Sequence, residues 1–439
     1  RLSGRIRVPG DKSISHRVVM LGAIADGTTR ARGFLGGADA RSTIDVFRAL
    51  GVTVEGPDDD GGIVVHGAGL HGLRAPAGPL DCGNAGTAMR LLMGLLAGQG
   101  FASTLIGDES LSRRPMRRVA DPLRQMGANI ETGSAGAGGP DDGRPPVRIR
   151  PATRLHAIRY AMPVASAQLK SALLLAGLYA DGETVVIEPA PTRDHTERML
   201  GGFGADVVRD GASVALRGGQ SLRAASFDIP ADLSSAAFFL VGASIAPGSD
   251  LVLEHVGLNP TRTGCLDILR RMGADIEVLA ERDCGGEPAG DLRVRAAPLR
   301  GIEIPPELVP LAIDEFPALF VAACCAEGRT VLRGAHELRV KESDRIATMA
   351  EGLARLGVET TPCEDGIVIE GRGGEPGVFR GGRVQTHHDH RIAMALSMAA
   401  LRATGAIGID DTAIVDTSFP DFVALAHGAG MAIRVHSGE

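Results

Sequence analysis

The 439-residue chain has no tryptophan and only two tyrosines, too few for the aromatic platforms on which single-stranded nucleic acids stack. Positive charge is also in deficit. With 46 Lys and Arg against 53 Asp and Glu, the net charge is -7, so nucleic-acid binding is not expected and anionic ligands must be caught by local cationic sites. No apolar run reaches the ~20 residues of a membrane-spanning helix, because Gly, Asp or Arg interrupts each one; no membrane association is expected. The opening RLSGRIRVPGDKS reads as strand and then loop, without the apolar stretch of a signal peptide. The six cysteines, Cys82, Cys265, Cys284, Cys324, Cys325 and Cys363, show neither CxxC spacing nor a His or Asp in metal-ligand register. They read as buried reduced thiols of a cytoplasmic protein.

Lysine is the scarcest cation, with Lys12, Lys170 and Lys341 against 43 arginines. Where Arg is the default, a Lys suggests that a compact ammonium or a transferable proton is needed. Lys12 and Lys341 fall in polar loops and are read as functional; Lys170 is read as a chance survivor on an exposed face.

A length of 439 residues favours two domains, and an internal repeat shows how they are built. A phrase in which an amphipathic helix ends at Gly and a strand follows recurs at Gly51, Gly127, Gly204, Gly273, Gly357 and Gly430. Glycine just past a helix takes the left-handed conformation that turns the chain back. A second helix type alternates with the first. It is rich in Ala and Leu and apolar nearly all round, as in TAMRLLMGLLAGQG and RIAMALSMAALRATG, which marks it as interior. Six units divide most simply into three per domain. The Gly-, Pro- and Asp-rich stretch 133–146 reads as a surface excursion rather than a linker.

The chemically distinctive residues sit just before the interior helices, where unpaired N–H groups and the helix dipole favour anions. In PGDKSISHR, Ser13 and Ser15 offer caps while Lys12 and Arg17 supply charge. Residues 83–87, GNAGT with Gly86 among them, read as a small-residue turn opening a helix. Arg114 precedes Pro115 at an expected first helical position, and Ser166 and Gln168 precede another apolar run. Asp314 and Glu315 pair at a helix start, where one carboxylate can cap and the other act as a base. Lys341 and Arg345 stand four apart, a like-charge spacing that a bound anion or Glu342 and Asp344 must offset. The run 387–391, HHDHR, lacks the Cys or carboxylate cluster of a metal site, and none is expected.

In order and over nearly the whole chain, PGDKSISHR, GNAGTAMRLL, RRPM, ASAQLKSALLLAG, TRDHTE, NPTRTG, IDEFP, LRVKESDR, DHRIAMA and SFPDF resemble the 3-phosphoshikimate 1-carboxyvinyltransferases, in their divergent bacterial branch. The resemblance implies an α/β, two-domain enolpyruvyl-transferase fold, an inside-out α/β barrel of six repeated units. Residues 1–9 and 231–439 would form a discontinuous domain on the phosphoenolpyruvate side, and 10–230 an inserted domain on the shikimate 3-phosphate side, with crossings near 8–10 and 230–233. It implies transfer of the enolpyruvyl group of phosphoenolpyruvate to the 5-hydroxyl of shikimate 3-phosphate through a tetrahedral ketal, in a monomer needing no cofactor and no metal. Lys12, Ser13, Arg17, Ser166, Gln168, Arg193, Asp314 and Lys341 would bind shikimate 3-phosphate. Lys12, Gly86, Arg114, Gln168, Arg345 and Arg391 would bind phosphoenolpyruvate. Asp314 would be the base, Glu342 the acid at the methylene carbon, and Lys12 a further catalytic group. Domain closure would bring these groups together.

Two features depart from relatives. Thr417 stands before Ser418-Phe419-Pro420-Asp421 where many relatives carry Lys, and Gly86 stands where glyphosate-tolerant relatives carry Ala, so glyphosate is expected to inhibit. Three rivals remain at this level. A UDP-N-acetylglucosamine enolpyruvyl transferase would need a reactive Cys in a mobile loop. An RNA 3′-phosphate cyclase fits poorly with a pI near 6.0. A non-catalytic anion-binding homologue has no reason to keep Asp314, Glu342 and Lys341.

Overall fold

The repeated glycines act as the sequence suggests. In the computed structural model, which describes residues 1–133 and 142–436, the helices Ala38–Ala49, Arg117–Gln125, His195–Gly202, Gly264–Arg271, Arg345–Arg355 and Phe422–Gly428 each give way, after one capping residue, to one of the six. All six glycines have φ between 85° and 102°, a region costly to any residue with a Cβ.

The chain divides into two compact units. One comprises Gly10–Ile229 with Cys284–Glu287, the other Arg1–Pro9, Pro230–Asp283 and Pro288–Glu439. We call them the inserted and the discontinuous unit. The division differs from the sequence expectation at Pro230 and at Cys284–Glu287. That tetrapeptide belongs to the inserted unit, where His195 Nδ1 lies 2.7 Å from Glu287 Oε1 and Arg198 Nη1 donates to the Gly286 carbonyl at 2.8 Å.

Within the inserted unit one sheet topology occurs three times. The strand of each repeat that follows the interior helix pairs in parallel with a short strand and antiparallel with the hairpin of its own repeat. Leu80–Asp81 serves Ser103–Ile106, Arg159–Ala161 serves Glu183–Ile187, and Ser226–Asp228 returns to Thr28–Arg32, so the three repeats close on themselves. The interior helices Lys12–Ala23, Gly86–Ala97 and Ala167–Gly177 fill the core. Part of the excursion expected over 133–146 lies outside the described residues.

The discontinuous unit repeats the plan and then shortens it. Ser3–Ile6 supplies the parallel partner of Asp250–Gly257. Among the described residues, Glu327–Leu332 meets its parallel neighbour only through the bridges at Arg300 and Glu303, and Ile407–Ile409 has only Gly382–Val384. The strand expected after Gly430 does not form: residues 431–436 carry the alternation but pair with no strand. Leu233–Ile245, Phe316–Cys324 and His390–Ala399 are the interior helices, all 13 residues of the first being buried. No described helix is long and apolar enough to cross a membrane.

Candidate active site

In the inserted unit, side chains join the first turns of all three interior helices. Asp11, rather than Ser13 or Ser15, caps the Lys12 helix by accepting from Ile14 N at 2.9 Å, and Ser15 Oγ instead accepts from Leu35 N at 3.1 Å. Lys12 pairs with the buried carboxylate of Asp39. Ser13 gives its carbonyl to Arg17 Nη1 at 3.0 Å. Arg17 is buried, and its Nε and Nη2 donate to Thr196 Oγ1 at 2.7 Å and Ser171 Oγ at 2.9 Å. Burial, with the nearby positive charge of Arg193 adding to it, outweighs the pull of Glu197 and Asp11. Its pKa falls to about 10, which leaves it charged at neutral pH.

Gly86 opens the second helix, and Arg114 reaches back to it, donating from Nη2 to Asn84 Oδ1 at 2.7 Å and to Ser110 Oγ at 3.2 Å. Pro115 precedes the helix cap Met116, so it lies outside the helix and not at its first position. Ser166 caps the third helix at Leu169 N, 3.3 Å away. Gln168 accepts from Arg90 Nη1 at 2.8 Å and donates to Thr87 Oγ1 at 2.9 Å. Sequence reasoning missed Arg90, although its spacing from Gly86 puts it on the same helix face. Arg193 is half-buried just before the His195–Gly202 helix.

Lys170 corrects the sequence reading most sharply. It is not on an exposed face: its side chain is 0% exposed and its ammonium lies 2.6 Å from Glu197 Oε1 and 2.9 Å from Glu188 Oε1. A charge can be buried to this extent only with opposite charge in contact, and two carboxylates from later elements supply it.

In the discontinuous unit the polar residues gather on Arg345, which is 1% exposed. Its Nη1 reaches Asp314 Oδ1 at 3.2 Å, its Nη2 reaches Glu342 Oε2 at 2.5 Å, and its Nε reaches Asp389 Oδ2 at 2.9 Å. Lys341 Nζ also approaches Asp314 Oδ1, at 3.4 Å. Burial works against the charge on Arg345, but Asp389, Glu342 and Asp314 together overcome it and raise the pKa. Asp344 does not share in this offset; it pairs with Arg339 at 2.7 Å and caps the helix at Ala347 N.

Asp389, which the sequence did not single out, also caps Arg391 N at 3.0 Å and accepts from Ser343 Oγ at 3.0 Å. Arg391 Nη1 donates to the Asp314 carbonyl at 3.2 Å. Neither member of the Asp314–Glu315 pair caps its helix. Glu315 is buried and accepts from Ser234 Oγ, to which Arg262 Nη2 donates at 2.6 Å. Thr417 donates its hydroxyl to the Ile414 carbonyl and brings no charge. Five cysteines are buried and Cys363 is half-exposed, so the expectation of six buried thiols holds for five. Burial pushes the Cys82 and Cys325 thiols up to about 12.

A family model described as EPSP synthase (3-phosphoshikimate 1-carboxyvinyltransferase) matches residues 1–425. The chain is 64% identical over 438 residues to a 3-phosphoshikimate 1-carboxyvinyltransferase of Alkalilimnicola ehrlichii, covering 100% of this chain and 96% of that protein. A solved EPSP synthase of Acinetobacter baumannii is similar at 55% identity with a TM-score of 0.89, over 99% of this chain and 97% of that one. The enolpyruvyl transferase NikO of Streptomyces tendae shares the fold, at 20% identity and a TM-score of 0.79 over 99% of this chain and 96% of that one.

Proposed function

The chain belongs to the EPSP synthase (3-phosphoshikimate 1-carboxyvinyltransferase) family, and from that premise we propose which of its groups carry each step of enolpyruvyl transfer to shikimate 3-phosphate. The observation that carries the assignment is that Asp314 and Glu342 both sit on the one guanidinium of Arg345, with Lys341 beside Asp314. The two groups assigned to proton transfer are thus gathered on one buried cation.

Asp314 takes the proton of the acceptor 5-hydroxyl as its oxygen bonds to C2 of phosphoenolpyruvate. Glu342, protonated from solvent once it leaves Arg345, gives that proton to C3, and the double bond becomes a methyl group on a tetrahedral ketal phosphate. In the second half the C2–O bond to phosphate breaks, the departing phosphate taking the proton that Asp314 received, while a proton leaves the methyl group, restoring the double bond in the product. The proton acceptor there is the Glu342 carboxylate left by the first step. Lys12, Arg114 and Arg391 neutralise the phosphate and carboxylate of phosphoenolpyruvate, with Gly86 and Gln168 alongside. Arg17, Arg193, Ser13 and Ser166 hold the acceptor. Fixed cations stabilise such developing charge better than mobile water does. For Arg345 to grip phosphoenolpyruvate as well, one carboxylate must yield, and Glu342, at 23% side-chain exposure, has the room to do so.

The buried thiols, Cys82 and Cys325 among them pushed up by desolvation, make poor nucleophiles, and the half-exposed Cys363 belongs to the strand Thr360–Cys363 rather than to a loop, which favours the shikimate acceptor over the UDP-amino sugar. Glyphosate is assigned as an inhibitor competing at the Gly86 turn. Phosphate release measured with both substrates tests the assignment. Asp314→Ala and Glu342→Ala should each lose about 10²- to 10⁴-fold in turnover while calorimetry still registers shikimate 3-phosphate binding. Turnover within tenfold of the parent in Asp314→Ala, or equal turnover with a UDP-amino sugar, would remove the assignment.

A further inference from the structure

We propose that Lys170 is a positioning residue for the phosphate of shikimate 3-phosphate, acting through Glu188 and Glu197 on the segment 192–197 that bears Arg193 and Thr196. This rests on the reading above that Arg17 and Arg193 hold the acceptor.

Lys170 lies on the same helix as Gln168, one turn beyond the cap Ser166. Each carboxylate it holds fixes a different end of the 192–197 segment. Glu188 accepts from Thr192 N at 3.2 Å and from the Thr192 hydroxyl, immediately before Arg193. Glu197 follows Thr196, whose Oγ1 accepts from Arg17 Nε at 2.7 Å and donates to Ser171 Oγ at 2.7 Å. Arg209 closes the cluster from the solvent side, 3.0 Å from Glu188 and 3.2 Å from Glu197. Two cations thus balance two carboxylates.

An ion cluster buried on all sides but that of Arg209 is a poor way to gain stability, because desolvation consumes most of the attraction and apolar side chains of similar volume often do as well. What it does provide is fixed geometry. Arg17 and Arg193 carry like charge near one another, and the charge of Arg193 opposes that of Arg17. Unless the 192–197 segment is anchored, Arg193 can relieve that repulsion by moving away. With both ends held from Lys170, the repulsion persists in the free protein and is relieved when the phosphate binds, so the arginines are preorganised for a dianion. A single ammonium reaches both carboxylates from the buried side, as one guanidinium nitrogen of Arg209 does from the solvent side.

The test compares full-length wild type with Lys170→Met, Glu188→Gln and Arg193→Ala, using shikimate 3-phosphate calorimetry together with steady-state kinetics. Lys170→Met should weaken acceptor affinity roughly tenfold or more, with kcat and the KM for phosphoenolpyruvate within about threefold of wild type. Glu188→Gln keeps the shape and one Lys170 ion pair, so it should show the same split at about three- to tenfold, and it decides the matter if Lys170→Met does not fold. The proposal is overturned if these variants bind the acceptor as wild type does, or if kcat and both KM values worsen together, while Arg193→Ala loses affinity. If Arg193→Ala itself binds normally, the acceptor assignment fails first and the role of Lys170 falls with it.

Discussion

Each unit buries one arginine among its functional residues, and the two are treated in opposite ways. Arg17 in the inserted unit is held by three neutral oxygens, those of Thr196, Ser171 and the Ser13 carbonyl. Burial there outweighs its charged neighbours and its pKa falls to about 10. Arg345 in the discontinuous unit touches three carboxylates, and its pKa is raised despite equal burial. Neutral partners orient a guanidinium without using up its charge, which remains available for an incoming anion. Carboxylate partners offset the charge and are themselves gathered around it. The first arrangement suits binding of a phosphate; the second suits holding proton-transfer groups at a set geometry. The chemistry assigned to each unit follows from this difference in partners rather than from the arginines.

The largest effect that could break the comparison is in stability. Arg345→Met would leave Asp314, Glu342 and Asp389 crowded together without their shared cation, and removing one member of a buried ion pair costs about 3–5 kcal/mol. Arg17→Met strands only hydroxyls and a carbonyl, for about 1–3 kcal/mol, yet should abolish the thermal stabilisation that shikimate 3-phosphate gives the wild type. Chemical denaturation with and without ligand measures both. Equal destabilisation by the two substitutions, or ligand stabilisation surviving in Arg17→Met, would mean that the partners do not divide the two roles.

The sequence made some of this plain and hid the rest for physical reasons. The six glycines were legible because a helix end that must reverse direction demands a left-handed residue at one position, a purely local need. Arg17, Arg114 and Arg345 stood out because they lie beside helix starts. Lys170 was misread because its partners, Glu188 and Glu197, come from later elements, and nothing local distinguishes a buried lysine in an apolar helix from one facing outward. Glu315 was taken as a potential cap for the same reason, whereas its partner Ser234 is 81 residues away. After Gly430 the alternating pattern is present but residues 431–436 pair with no described strand, and alternation without a partner does not make a strand.

A smaller effect would sharpen the comparison at the Gly86 turn. A Cβ built on Gly86 lies 3.1 Å from Arg114 Nη1, 3.2 Å from Arg90 Nη1 and 3.5 Å from Leu111 Cδ1. In Gly86→Ala the two guanidiniums must move by a few tenths of an ångström. Arg114 is directed by the side-chain oxygens of Asn84 and Ser110, contacts that can adjust by that much, so the turn should tolerate the methyl group. The KM for phosphoenolpyruvate should rise about two- to fivefold, and the inhibition constant of the longer glyphosate about tenfold or more, because a displaced guanidinium penalises most the ligand with least slack. Inhibition constants measured beside KM decide it. An unchanged ratio of the two would show that the methyl group does not narrow the site.

The smallest effect concerns the unspent charge around Arg17. His16 is fully buried, its Nδ1 2.7 Å from Thr43 Oγ1, and burial, with Lys12 and Arg17 adding to it, holds its pKa well below the usual 6.5. A histidine neutral in the folded state but ordinary in the unfolded one is protonated first by unfolding. Its contribution is therefore complete above pH ~6.5 and is lost as pH falls below that value. The slope from one such group is at most about 1.4 kcal/mol per pH unit. His16→Gln should be less stable at pH 7.5 yet show a flatter decline between pH 6.5 and 5, so the two stability curves converge toward acid. Shikimate 3-phosphate should flatten the wild-type decline as well, because its negative charge offsets the cations that disfavour a protonated His16. Parallel curves in the absence of ligand would place the acid sensitivity at other groups and take His16 out of the field that Arg17 and Lys12 create.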